Sequence, residues 1–229
     1  MPATGGPDAD VRPGVLLDVD GTLLDTNHLH TLAWFRAFRR FDQVHPMHEI
    51  HRLVGMGGDK LVPELAGEEV DGLEDAYGEE FDRLFDDVTL LPGARELVQA
   101  LHDVGLRLVL ASSAKEEDLD RFREVLDVDR WLAGWTSSGD ADASKPESDI
   151  FDVAIERFAL DRARTIAIGD ATWDAKAAGR AGVGFVGVAT GGTAAADLVD
   201  AGASRAYDDA DALVADLHRG PFAAIIPDR

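Results

Sequence analysis

Short apolar runs alternate with helical patterns along most of this chain. "GVLLD" at 14–18, "LRLVLA" at 106–111, "TIAIGD" at 165–170 and "GVGFVGV" at 182–188 are apolar stretches closed by turn residues, the pattern of buried strands. Apolar residues recur at helical spacing over 94–104, 116–126, 147–159, 173–181 and 193–201. Strand, helix, strand at this spacing predicts parallel strands with right-handed crossovers. The expected fold class is α/β: a doubly wound, Rossmann-like parallel sheet, whose ligands bind beyond the carboxyl ends of the strands. Asp18, Asp20, Ser112 and Asp170 all fall at those ends.

The rhythm breaks from residue 25 to about 90. Helical patterns follow one another there without a strand, over 28–41, 46–54, 59–66 and 73–87, bracketed by Asp25 and the turn "LPGA" at 91–94. This predicts an all-helical cap, 25–90, inserted directly after the first strand's aspartates, where it can close over a site as a lid. Residues 14–24 and 91–229 then form the core. Trp34, Phe35, Phe38 and Phe41 lie on one helix and are expected to pack inside the cap. "SSGDADASKPE" at 137–147 reads as a loop. Residues 1–13 lack the basic start and apolar centre of a secretory signal and read as a disordered leader.

Composition narrows the chemistry. The 229 residues, 45% apolar and 29% charged, suit a globular protein, and no stretch approaches the roughly 20 apolar residues of a membrane span. There is no cysteine, which excludes disulfides, zinc–thiolate sites and cysteine nucleophiles. A cytoplasmic location is the default expectation. The net charge is −22, and the only lysines are Lys60, Lys115, Lys145 and Lys176. Such a surface repels nucleic acid and anionic membranes. An anionic small molecule is admitted only where local cations and backbone N–H groups invert the field.

Several motif readings fail. An Asp-x-Asp calcium loop needs glycine at its sixth position and glutamate at its twelfth; here the glycine is Gly21, at the fourth, and the twelfth is Leu29. Gly182, Gly184 and Gly187 match a dinucleotide fingerprint in spacing but lie within a strand pattern. There is no phosphate-loop Gly-Lys-Ser/Thr and no Gly-x-Ser-x-Gly elbow. What remains is Asp-Val-Asp-Gly-Thr at 18–22, Ser-Ser at 112–113, Ser-Lys-Pro at 144–146 and Gly-Asp-x-x-x-Asp at 169–174. In this order, from about 14 to 215, these resemble the four motifs of the haloacid dehalogenase superfamily. The helical insert resembles the cap of the subgroup containing phosphoglycolate phosphatase and β-phosphoglucomutase.

The resemblance implies a magnesium-dependent phosphatase of a small phosphorylated metabolite, working as a monomer or homodimer. Asp18 is then the nucleophile that carries an aspartyl-phosphate, and Asp20 the general acid and base. Ser112 binds phosphoryl oxygens, with Ser113 sharing or taking that task, and Lys145 stabilises the charge on Asp18. Asp18, Asp170 and the backbone carbonyl of Asp20 hold Mg²⁺, with Asp174 ligating directly or through water. Asp20 matters most for the reaction class, because the dehalogenase and phosphonoacetaldehyde hydrolase branches do not carry an aspartate there. Thr22 belongs with the substrate-binding candidates. Asn27 and His30 either face substrate or make hinge hydrogen bonds. Lys60, after the glycine-rich turn of "GMGGDK" at 55–60, either meets an anionic substrate group on closure or is a solvated lysine beside a packing turn. A β-phosphoglucomutase-like mutase and an inactive binding protein are the rival functions.

Overall fold

A computed structural model describes residues 11–140 and 145–227. Six parallel strands form one sheet: β1 (Arg12–Leu17), β2 (Arg107–Ala111), β3 (Gly134–Thr136), β4 (Leu160–Gly169), β5 (Gly184–Val188) and β6 (Arg205–Tyr207). Their order is β3-β2-β1-β4-β5-β6, so chain progression reverses direction beside β1. In such a sheet that reversal opens a crevice at the carboxyl ends. Leu16 of β1 is paired with Val109 on one side and Ala167 on the other, which aligns the ends of the three central strands.

Alternation along the strands separates two apolar layers. Val15, Leu17, Leu108, Leu110, Ile166, Ile168, Val186 and Val188 face one layer. Leu16, Val109, Ala111, Ala167 and Phe185 face the other. Helices α5 (Ala94–Asp103), α6 (Glu116–Leu126) and α10 (Ala210–Asp216) cover the first. Helices α7 (Asp149–Arg157), α8 (Thr172–Ala181) and α9 (Ala195–Asp200) cover the second. Both faces are buried, which is why the strands read as unbroken apolar runs.

Two strands escaped the sequence pattern. β3 and β6 have three residues each, too few for a period, and exist because they pair with Val109–Ala111 and Val186–Val188 at the sheet edges. The first strand also starts earlier than expected. Arg12 and Pro13 belong to β1, with the Arg12 amide donating to the Ala159 carbonyl at 3.1 Å, so the expected leader of 1–13 is shortened; residues 1–10 lie outside the described ones. The expected loop at 137–147 contains a short 3₁₀ turn, Ser138–Asp140, and its residues 141–144 also lie outside the description.

Between β1 and α5 the chain is helical: α1 (Asn27–Arg40), α2 (Met47–His51), α3 (Gly58–Ala66) and α4 (Leu73–Asp82), then a 3₁₀ turn at Phe85–Asp87. Trp34, Phe38, Ile50, Leu61, Val62, Leu73 and Ala76 form an apolar cluster of their own, with Phe35 and Phe41 against it. The segment's two ends meet: the Asp25 amide donates to the Thr89 carbonyl at 2.9 Å, and the Leu91 amide to the Leu23 carbonyl at 3.0 Å. Ala33, Phe81, Leu84 and Val88 join the sheet's own core, so the base of the helical segment packs on the sheet domain. No described helix is long and apolar enough to cross a membrane.

Candidate active site

β1 ends at Leu17, and the chain turns at once. The amides of Thr22, Leu23 and Leu24 all point back at the Val19 carbonyl, at 3.3, 2.9 and 3.0 Å. Gly21 sits in this turn with φ +70°, a left-handed conformation. A side chain there would also collide with Asn27 and Asp170, so glycine serves both the turn and the close approach. The turn leaves Asp18 buried at the mouth of the crevice.

Asp170 follows β4, and Asp174 lies in the first turn of α8, where its Oδ2 accepts the Ala171 amide at 3.2 Å. Carboxylate oxygens of Asp18, Asp170 and Asp174 lie within 4.8 Å of one another, and all three residues are buried. Lys145, 1% exposed, reaches into the group: its Nζ is 2.5 Å from Asp18 Oδ1 and 2.7 Å from Asp174 Oδ1. Thr22 Oγ1 lies 3.2 Å from both Asp18 Oδ2 and Asp170 Oδ1 and bridges the two carboxyls. Asn27 Nδ2 donates to Asp170 Oδ2 at 2.8 Å and to the Gly191 carbonyl at 3.0 Å.

One cation does not neutralise three buried carboxylates. Burial pushes the Asp18 carboxyl up to about 7, and Asp174 and Asp20 push the same way against Lys145. Asp170 rises well above the ordinary carboxylate range, from burial and from the charges of Asp18 and Asp174. Burial opposes the Lys145 charge, but Asp174 and Asp18 outweigh it and hold the ammonium protonated. The group is therefore short of positive charge. Its donors are all oxygen, and hard divalent cations take such ligands. A divalent metal fits this site on donor chemistry and on charge.

Asp20 stands apart from the cluster. Its Oδ1 accepts from Thr26 Oγ1 at 2.6 Å and lies 2.8 Å from His30 Nε2. Burial raises the Asp20 carboxyl, but contact with His30, the Thr26 hydroxyl and Lys145 outweigh it and hold it below the usual range. Ser112 is fully buried at the end of β2, its Oγ accepting the Ala114 amide at 3.0 Å. Ser113 Oγ is buried with no hydrogen-bond partner among the described residues. Lys60 is the outlier among the sequence candidates: its Nζ is 3.6 Å from Glu147 Oε1, an oxygen that Arg180 Nη1 also approaches at 2.7 Å.

Three participants were not found from sequence. Thr26 follows the first motif directly and could have been suspected as a hydroxyl near Asp20. Gly191 carried a signal too, as part of a Gly-Gly turn after the β5 pattern. Tyr77, whose Oη is 2.7 Å from His30 Nδ1, carried none; only the packing of α4 on α1 brings it there.

A parallel sheet with a buried carboxylate–lysine centre at its carboxyl edge, and a helical segment inserted after its first strand, places that centre where sheets of this kind bind ligands. The family model of haloacid dehalogenase-like hydrolases matches residues 13–182, and the chain belongs to that family. It is 30% identical over 183 residues to a phosphoglycolate phosphatase of Nitrosospira multiformis, covering 73% of this chain and 79% of that protein. It is 27% identical over 218 residues to a validoxylamine A 7'-phosphate phosphatase of Streptomyces hygroscopicus subsp. limoneus, covering 90% and 97%. Among solved structures, a hydrolase from Pseudomonas syringae superposes with a TM-score of 0.84 at 29% identity, covering 90% of this chain and 98% of that one.

Proposed function

We propose that the protein is a magnesium-dependent phosphatase that hydrolyses a small phosphorylated metabolite through an aspartyl-phosphate on Asp18. The observation that carries this reading is the division of labour between two neighbouring aspartates. Asp18 lies against Lys145 inside the charged cluster, whereas Asp20 lies outside it, bonded to Thr26 and His30. A phosphate ester with a poor leaving group needs both a nucleophile and a separate acid. The names of the phosphatase relatives agree with it.

Asp18, Asp170 and the Asp20 carbonyl would hold Mg²⁺, with Asp174 ligating directly or through water. The ion when bound neutralises phosphoryl charge and orients the group for displacement. The Asp18 carboxylate attacks phosphorus, and the bond to the ester oxygen breaks as Asp20, having first taken up a proton from solvent, gives it to that oxygen. Water then attacks the phosphorus of the aspartyl-phosphate, its proton passes to Asp20, and the Asp18 carboxylate is released with inorganic phosphate. Lys145 stabilises charge on Asp18 and the transferring group from a fixed position. Ser112 and Ser113 bind phosphoryl oxygens, and the Ser113 hydroxyl, which has no hydrogen-bond partner among the described residues, supports its share in that task. Thr22 and Asn27 direct their donors at the carboxylates and so organise the cluster. The helical segment 25–90 acts as a cap over the core formed by 12–24 and 91–227, with Lys60 facing incoming substrate and His30 making a hydrogen bond to Asp20 at the cap's base.

The test is phosphate release from a panel of phosphorylated metabolites with Mg²⁺, alongside the Asp18→Asn variant. A phosphatase releases phosphate from one or a few members, and the variant releases none. Isomerisation of a sugar phosphate with little phosphate release would replace this reading with a mutase, and activity surviving in Asp18→Asn would remove the covalent route.

A further inference from the structure

Tyr77 lies on α4, far along the chain from the aspartates, yet it completes a continuous line of polar atoms ending at Asp20. Its Oη is 2.7 Å from His30 Nδ1, and the other ring nitrogen, Nε2, is 2.8 Å from Asp20 Oδ1. Both rings are clamped. Phe81 stacks on the His30 imidazole with centroids 4.3 Å apart, and Trp34 stacks on the Tyr77 ring at 3.9 Å. Burial raises the Tyr77 phenol well above its ordinary range, so the group facing Nδ1 is a hydroxyl, which can donate to that nitrogen or accept from it.

A neutral imidazole carries one proton, and the bond made by one nitrogen decides where it sits. A hydroxyl donated to Nδ1 leaves the proton on Nε2, pointing at Asp20. Asp20 Oδ1 already accepts the Thr26 hydroxyl, so it suits a second donor and not a bare ring nitrogen. Without the phenol O–H the ring could carry its proton on Nδ1 and present a lone pair to the carboxylate, which repels it.

We propose that Tyr77 is a positioning residue: it fixes His30 with its proton on Nε2, and His30 in turn holds the Asp20 side chain in the orientation from which it exchanges protons with the leaving group. The rate effect rests on the reading of Asp20 as acid and base; the state of the His30 ring does not. The substitution Tyr77→Phe is suited to the test, because it keeps the ring stacked on Trp34 and removes only the hydroxyl.

The first readout is the His30 side chain in ¹⁵N-labelled full-length protein, recorded above the ring's own titration. In the parent protein Nε2 is protonated and Nδ1 is not; in Tyr77→Phe the two nitrogens move toward a mixture of tautomers. The second readout is kcat for an alkyl phosphate and for p-nitrophenyl phosphate, whose leaving group departs without a proton. Tyr77→Phe lowers kcat for the alkyl ester about tenfold, a fraction of the full general-acid contribution, and leaves the aryl ester nearly unchanged. Unchanged ring nitrogens in Tyr77→Phe, or a parent ring already protonated on Nδ1, would overturn the proposal. So would equal losses on the two esters, which a mere packing defect gives. Asp20→Ala is run in parallel: if it also slows both esters equally, the Asp20 reading falls, and the positioning of His30 is judged from its ring nitrogens alone.

Discussion

Lys145 Nζ lies 2.7 Å from Asp174 Oδ1 while it also contacts Asp18, so one buried ammonium serves two carboxylates from different elements. Removing one partner of a buried charge cluster leaves the remaining charges uncompensated, at a cost of about 3–5 kcal/mol. Lys145→Met keeps the apolar stem near Phe151, over whose ring the ammonium sits at 5.5 Å, and removes only the charge. The expected result is a loss of metal-free stability in that range, measured by urea unfolding. Added Mg²⁺ recovers part of the stability but none of the turnover. A variant as stable as its parent would mean that the carboxyls are already neutral and that Lys145 does not hold the cluster together.

The pH dependence of the metal-free protein follows from the same imbalance. The Asp18 carboxyl rises from 3.8 to about 7 on folding, mainly through burial, and Asp170 rises as well. A group that binds its proton more tightly when folded contributes stability that is complete below its unfolded pKa and is lost as pH climbs through the folded one. Metal-free protein should therefore melt at a higher temperature near pH 5 than near pH 7.5. The opposing carboxylates with lowered values, Asp20 and Asp140, lose their contributions only at lower pH. Saturating Mg²⁺ should raise the melting temperature more at pH 7.5 than at pH 5, because it binds the ionised cluster. Scanning calorimetry at the two pH values, with EDTA or with Mg²⁺, checks both signs. A metal-free protein that is equally stable at both would show that the cluster is not strained by its charge.

Lys60 is tied to the segment after Lys145 through Glu147, at 3.6 Å, and both side chains are partly exposed. An exposed pair of this kind is worth less than about 1 kcal/mol, so an anionic substrate group can displace Glu147 from Lys60. Glu147→Ala should then lower KM for the metabolite phosphate, and Lys60→Ala should raise it, each by up to about fivefold, the span that 1 kcal/mol allows. Neither should alter kcat, and p-nitrophenyl phosphate should respond to neither. Identical KM values in both variants would return Lys60 to the role of a solvated lysine beside a packing turn.

The parts of this architecture that could be read from sequence are those written in local pattern. β1, β2, β4 and β5 are apolar runs because both their faces are covered. Asp18, Asp20, Ser112 and Asp170 sit at strand ends because that is where the sheet opens. The edge strands β3 and β6 were illegible, since three residues define neither a period nor a run, and their pairing partners alone make them strands. The orientation of Asp20 was illegible for a different reason. The motif places its carboxylate beside that of Asp18, but Thr26 and His30 draw it out of the cluster. Tyr77 acts on that orientation from another helix, and no spacing in the chain announces a contact made by tertiary packing.

Gly191 offers the sharpest steric test of the cluster. It follows β5, and its neighbour Thr190 donates its hydroxyl to the Gly21 carbonyl at 2.6 Å, which presses the two glycine turns together. A methyl group built on Gly191 would fall on Asp170 Oδ2 and Asn27 Nδ2. Gly191 is not among the glycines with positive φ, so the objection to alanine is steric and not one of backbone strain. Overpacking of this kind costs about 1–3 kcal/mol, which the fold can absorb by rotating Asp170 away. Asp170 is then lost as a ligand, and the cluster keeps two carboxylates that both contact Lys145. Gly191→Ala should therefore remain folded, with Mg²⁺ affinity reduced by tenfold or more, roughly the effect of losing a group that orients or supplies a ligand. Calorimetric titration with Mg²⁺ measures it. Adding Asn27→Ala to Gly191→Ala clears one of the two collisions, so it should recover stability without recovering affinity. Parent-like Mg²⁺ binding by Gly191→Ala would mean that Asp170 does not contribute to the ion's site from the position it holds here.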